Sequence, residues 1–173
     1  MNLVEIIAQG FGIIGLLIFV LSFQCKDNKK LVFIQGLGGF SFFLNFMLIG
    51  AYTGAFFNII LLIRGLLYTK KEGKIYKLII VEVLLVLAFI YAAVQANGEI
   101  KQLLLTALPC IPLMIMSVLM WKEKDKPLRY FQLVILSPAW LIHNIFNFTL
   151  GGILCEIFNM ISVAISLIRY RNK

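Results

Sequence analysis

Seven apolar runs alternate with short polar connectors along the chain, at roughly 4–24, 31–49, 52–69, 77–95, 102–120, 129–149 and 151–169. About 20 mostly apolar residues make one membrane-spanning helix. The runs are continuous and lack the every-second-residue alternation of a barrel strand. Lipid offers backbone amides no water, so runs of this kind imply helices whose hydrogen bonds close internally. The expected fold is an all-α polytopic membrane protein with seven transmembrane helices.

The connectors alternate in character. CKDNKK (25–30), KKEGKIYK (70–77), WKEKDKPLR (121–129) and the tail RYRNK are basic. GAYTG (50–54) and LGG (150–152) carry no charge, and ANGEIKQ (96–102) carries one lysine. Of the 16 Lys and Arg residues, 14 therefore fall on one side; Lys101 lies opposite and Arg64 lies within a span. Basic loops stay in the cytoplasm, so the N-terminus is expected outside and the C-terminus inside. Six helices would put the basic clusters on opposite faces. Tyr68, Tyr76, Trp121, Tyr130 and Tyr170 fall near the cytoplasmic ends, as an interfacial aromatic belt would.

Composition agrees: 61% of residues are hydrophobic, above the roughly 45–50% of soluble domains. The net charge of +8 sits in connectors and not on one soluble face, so nucleic acid is not an expected partner. The N-terminus lacks a basic leader and a small-x-small cleavage site, so the first helix is expected to be retained. Cys25, Cys110 and Cys155 match no metal or redox spacing. No disulfide, metal or cofactor is expected, and Cys110 and Cys155 read as packing residues.

An internal repeat is legible. FLNFMLIGAYTGAFFNIILLI (43–63) aligns with NIFNFTLGGILCEIFNMISVA (144–164) at an offset of 101, which pairs Gly50 with Gly151, Phe57 with Phe158 and Asn58 with Asn159. Two triplets of the same orientation need one extra crossing between them. The expected plan is one transmembrane domain over 1–173, arranged three plus one plus three: residues 1–70, a linker helix at 77–95, and residues 102–173. The two parallel three-helix repeats would be related by an axis along the membrane normal.

Gln9-Gly10, the spacing Gly50…Asn58…Arg64, Trp140…His143-Asn144, Gly151-Gly152 and Glu156 resemble the YgjV family of bacterial inner-membrane proteins. That resemblance implies a bacterial inner-membrane location. The three-plus-one-plus-three plan is more distantly similar to the SWEET and PQ-loop transporter superfamily. In SWEETs an Asn on helix three faces an Asn on helix seven across the substrate, which implies that role for Asn58 and Asn159. The Pro-Gln dipeptide is absent here; helix five has Pro109 and Pro112, whereas helix one has only Gly10, Gly12 and Gly15.

The stretch WLIHNIFNFTLGGILCEIFN (140–159) carries the candidate chemistry. Trp140, His143, Asn144 and Asn147 share one helix face, and Glu156 and Asn159 share another. His143 and Glu156 fall about 9–10 Å from the turn at Leu150, so they form either a proton relay or a structural pair. A carboxylate at a helix centre costs about 2.5–3.5 kcal/mol on insertion scales; lipid should therefore turn it inward. Asn58, Asn159, Trp140, Asn144 and Asn45 are the candidate solute-binding residues, with interhelical hydrogen bonding as the alternative use of the amides. Gln35 and Ser41 add polar groups to helix two. Arg64 and Glu82 either form a cytoplasmic gate pair or, for Arg64, snorkel to headgroups. Glu5 belongs at the outer entrance.

No nucleophile, phosphate-cradling loop or metal cluster accompanies these residues, which argues against an enzyme. The expected function is a small polar solute transporter or facilitator, proton-linked through His143 and Glu156 if that pair titrates. A non-transporting receptor or regulatory scaffold with the same bundle is the alternative. Membrane lipid is the expected surrounding, and glycine strips allow a homo-oligomer.

Overall fold

The computed structural model describes residues 2–22, 28–68, 74–122 and 125–171. Every described element is helical: α1 (Leu3–Ser22), α2 (Asn28–Leu48), α3 (Tyr52–Tyr68), α4 (Ile75–Gln95) and α5 (Ile100–Trp121). A sixth rod follows, built of α6 (Asp125–Phe131), a π-helical turn (Gln132–Leu136) and α7 (Ser137–Phe146); α8 (Leu150–Arg171) is the seventh rod. Much of the expected basic loops, with Cys25, lies outside the described residues.

Local chemistry sets the element ends. Asn2 and Glu5 cap α1 reciprocally: Glu5 N–H donates to Asn2 Oδ1 (2.9 Å) and Asn2 N–H donates to Glu5 Oε2 (3.0 Å), the two-way arrangement of a capping box. The π turn has a cause in Pro138. Proline has no N–H, and its ring crowds the carbonyl one turn back. The rod widens just ahead of it, where Ser137 N–H reaches back five residues to the Gln132 carbonyl. The expected single helix at 129–149 thus contains one loosened turn.

Leu3–Leu21, Ile75–Gln95 and Ile100–Trp121 are long and apolar enough to cross a bilayer, with mean hydropathies of 2.3, 2.5 and 2.3. Phe33–Leu48, Tyr52–Tyr68 and Leu150–Ile165 are shorter apolar helices. These three hold Gln35, Ser41, Asn45, Asn58, Arg64, Glu156 and Asn159. Their polar side chains interrupt the apolar runs and mark helices that line an interior.

The distribution of side chains is that of a bundle in lipid. Ser41, Asn45, Asn58, Thr106, Ser117, Ser137, His143, Asn144, Thr149 and Asn159 are buried, whereas leucines, isoleucines and valines cover the outside. On α4 the stripe Lys77, Val81, Leu85, Ala88, Ala92 faces inward, and Ile79, Ile80, Val83, Val86, Leu87 and Ile90 face outward. A helix apolar on all sides but packed on one has lipid as its other neighbour.

The packing order is simple. α2 lies between α1 and α3, and the sixth rod lies between α5 and α8. α1 packs on α8, α3 touches α5, and α4 leans on both α3 and α5. Glycine makes the α1–α8 crossing close: a Cβ on Gly151 would collide with the Gly12 backbone. Gln9 reinforces the same crossing. Its amide donates to the Phe148 carbonyl (2.7 Å) and accepts from Leu150 N–H (3.0 Å), clasping the turn before α8.

Two connections are the same turn. Ile49 N–H bonds Asn45 O (3.2 Å), Gly50 bonds Met47 O (3.2 Å) and Ala51 bonds Phe46 O (2.9 Å). Asn147 bonds His143 O (3.1 Å), Phe148 bonds Ile145 O (3.2 Å) and Thr149 bonds Asn144 O (3.0 Å). Each pair of bonds is 98 residues apart, and the turn residues Gly50 (φ 76°) and Phe148 (φ 53°) share the left-handed conformation. The structural register is therefore 98 and not 101. Glycine took the sequence alignment astray: Gly50 is a turn glycine, whereas Gly151 is a packing glycine inside α8.

Candidate functional site

A cavity of about 360 Å³ lies among α2, α3, α5, the sixth rod and α8. Its polar lining is Gln35, Asn58, Arg64, Gln132, Asn144, Glu156 and Asn159, and Trp140, Phe46 and Leu136 are among its apolar walls. Asn58 and Asn159 thus border one cavity. In the register of the two turns, however, Asn58 corresponds to Glu156: each is eight residues beyond its left-handed turn residue. Asn159 lies about 4.5 Å further along α8.

The amides have distinct jobs. Asn58 Nδ2 donates to the Gly54 carbonyl of its own helix (2.9 Å), which leaves its carbonyl oxygen free to accept. Asn144 Oδ1 accepts from Thr149 Oγ1 (3.0 Å), and a Cβ on Gly152 would press into the Asn144 amide. Asn45 is not a cavity residue. Its Nδ2 donates to the Ala8 carbonyl (2.6 Å), and Ser41 Oγ donates to the Phe11 carbonyl (2.8 Å). Both tie α2 to α1, so the solute-binding expectation for Asn45 gives way to helix–helix bonding.

Glu156 and His143 do not pair. The expected contact rested on equal depth, but depth leaves the rotation of each helix free. Glu156 borders the 360 Å³ cavity, with Ser137 and Asn159 as its polar neighbours. Its Oε2 is buried without a partner. Ser137 in turn accepts from Gln132 Nε2 (2.8 Å). The π turn spans these two residues and brings them onto one patch. Gln132 and Ser137 had escaped notice in the sequence; Pro138, which follows them, was the available signal.

His143 borders a second cavity of about 420 Å³, near the turns at Gly50 and Asn147. Asn147 Nδ2 donates to the His143 backbone carbonyl (2.8 Å) and lies 3.2 Å from its Nδ1. An aromatic layer joins the linings of the two cavities, with Phe46 and Trp140 bordering the first and His143 the second. The Trp140 ring stands 5.4 Å from His143, 6.2 Å from Phe57 and 6.4 Å from Phe46, and Phe46 is 5.8 Å from His143. All four side chains are buried. A Cβ on Gly54 would touch the Phe46 ring, so this glycine leaves room for the layer.

Arg64 turns into the bundle and does not snorkel. Its guanidinium donates to Ser117 Oγ on α5 (3.2 Å), with Tyr68 and Glu82 as electrostatic neighbours. No hydrogen bond joins Arg64 to Glu82, and Arg64 Nε, Tyr68 Oη and Glu82 Oε1 are buried without partners. Cys110 and Cys155 are free and buried. Among the described residues, no three His, Cys, Asp or Glu side chains are gathered to hold a metal. Glu5 sits on the exposed cap of α1.

An all-helical bundle with an apolar outside, a polar inside and a cavity bordered by inward-facing amides defines a multi-pass membrane protein. The chain belongs to a family of bacterial inner membrane proteins, Imp-YgjV, whose model matches residues 6–173. Its place is the bacterial inner membrane, in contact with lipid. No curated protein and no solved structure matches the chain.

Proposed function

We propose that this protein is a carrier for a small polar solute, working by alternating access between two like-facing three-helix halves. In this reading residues 1–70 and 102–173 are the halves and α4 is the linker that restores orientation. The N-terminus lies outside, and the basic connectors lie in the cytoplasm. The contacts support it: exchanging α1 with α5, α2 with the sixth rod and α3 with α8 turns the α1–α8 contact into the α5–α3 contact. The shared turn geometry supports it independently.

One observation carries the proposal. Asn58 and Glu156, at equivalent positions of the two halves, border the same cavity, whose lining the aromatic layer joins to that of the outer one. The inner cavity reaches Phe19, Met120, Leu128 and Val163, toward the ends that carry the basic loops. This supports a carrier closed to the outside, with Phe46, Phe57, Trp140 and His143 as its outer barrier. Solute is held by Asn58, Asn144, Asn159 and the Trp140 face. The bundle is a conduit and not a catalyst.

Flux into proteoliposomes of purified protein tests this. Uptake of at least one small polar solute above that of empty vesicles is expected, with Trp140→Ala raising passive leak of the same solute. Absence of flux for every solute of a broad panel overturns the carrier reading.

A further inference from the structure

Among the described residues, Glu156 is the only carboxylate lining the inner cavity. A carboxylate has about four lone-pair sites, and two neighbours, Ser137 and Asn159, serve this one. Oε2 has none. A buried carboxyl is either neutral or paired with a cation, and a charged one left unpaired is strongly unfavourable. The cavity's other charged side chain among the described residues, Arg64, does not supply that counter-ion. It is engaged by Ser117 and has Glu82 on α4 as its acidic neighbour.

The amides around Glu156 are turned the same way. Asn58 gives its N–H to Gly54. The Asn159 amide nitrogen donates to Cys155 Sγ (4.0 Å), beside Glu156. Both therefore keep carbonyl oxygens as acceptors. With the Glu156 carboxylate, the wall offers acceptors from three side chains, the number of N–H donors on a primary ammonium. Most of the remaining wall is apolar or aromatic, including Phe42, Leu113, Met116 and Trp140, beside the polar groups of Gln35, Arg64, Gln132 and Asn144. It suits a carbon skeleton and not a bare metal ion. A volume of about 360 Å³ lies in the range of small-ligand sites, roughly 300–1,000 Å³.

We propose that the solute of this cavity is a small organic primary amine, bound as its ammonium ion by the Glu156 carboxylate with the carbonyl oxygens of Asn58 and Asn159. This rests on the carrier reading for its biological use but not for the binding itself. Gln132, through Ser137, is a positioning residue that orients the carboxylate.

The test is calorimetric titration of the purified full-length protein in detergent, in sodium-free buffer. Ethanolamine, putrescine and cadaverine are compared with ethylene glycol, butanediol and pentanediol, and sodium chloride is titrated separately. At least one amine is expected to bind saturably, roughly tenfold or more tighter than its hydroxyl counterpart. Glu156→Gln should remove that preference, and Asn45→Ala, outside the cavity, should keep it. The comparison of amine with diol on the unmodified protein needs no variant to fold. Equal binding of amines and diols, binding of sodium alone, or no amine binding overturns the proposal. Flux of the same compounds separates the two readings. Amine binding without flux sinks the carrier and leaves this site; diol flux without amine binding does the reverse.

Discussion

Asn45 and Asn58 show how one residue type divides between scaffold and site. Both are buried amides on neighbouring helices. Asn45 spends its N–H on the backbone of another helix; Asn58 spends its own within α3 and turns an oxygen to the cavity. Asn45→Ala should therefore lower thermal stability, by about 1–3 kcal/mol for a buried carbonyl left without its donor. It should leave solute affinity unchanged, as a melting curve beside a titration will reveal. Asn58→Ala should do the opposite. The sequence made both amides candidates because lipid penalises any outward-facing polar group. It could not separate them, because the choice depends on which helix each one faces. The same limit explains His143 and Glu156: equal depth was legible, helix rotation was not.

Helix positions were legible because the bilayer imposes a length on each apolar run. The contacts between helices were written in glycine, and glycines have different jobs. Gly151 faces the Gly12 backbone, whereas a Cβ on Gly10 would meet nothing within 4 Å. Gly151→Ala forces α1 and α8 apart and should destabilise the bundle by about 1–3 kcal/mol, the usual scale of overpacking. Gly10→Ala should be neutral or stabilise by up to about 1 kcal/mol through helix propensity. Thermal unfolding of the two variants in one detergent distinguishes them, and equal losses would contradict the packing described. The π turn is the element least legible beforehand. A hydropathy window reads LVILSPAW as one apolar run, and only Pro138 betrays the widened turn that brings Gln132 and Ser137 together.

At the scale of the whole molecule, parity governs how two halves can face the same way. Two triplets in the same orientation require an odd number of crossings, and in the proposed arrangement α4 supplies the odd one. The corrected register of 98 fits the helix ends as well as the turns: Leu48 and Phe146 end their rods, and Tyr52 and Leu150 begin the next, at that same spacing. The polar pair across the proposed axis consequently becomes Asn58 with Glu156, one neutral and one acidic. A carrier built this way has two similar halves but an asymmetric grip on its solute. Membrane sidedness follows directly. In a background with all three cysteines replaced by alanine, single cysteines at Ala51, Asn97 and Phe148 should react with an impermeant maleimide added to intact spheroplasts. Cysteines at Lys71, Glu123 and Lys173 should react only after the membrane is opened. If Asn97→Cys and Lys173→Cys label from the same side, the count of crossings between them is even. Two parallel halves are then impossible, however well their turns match.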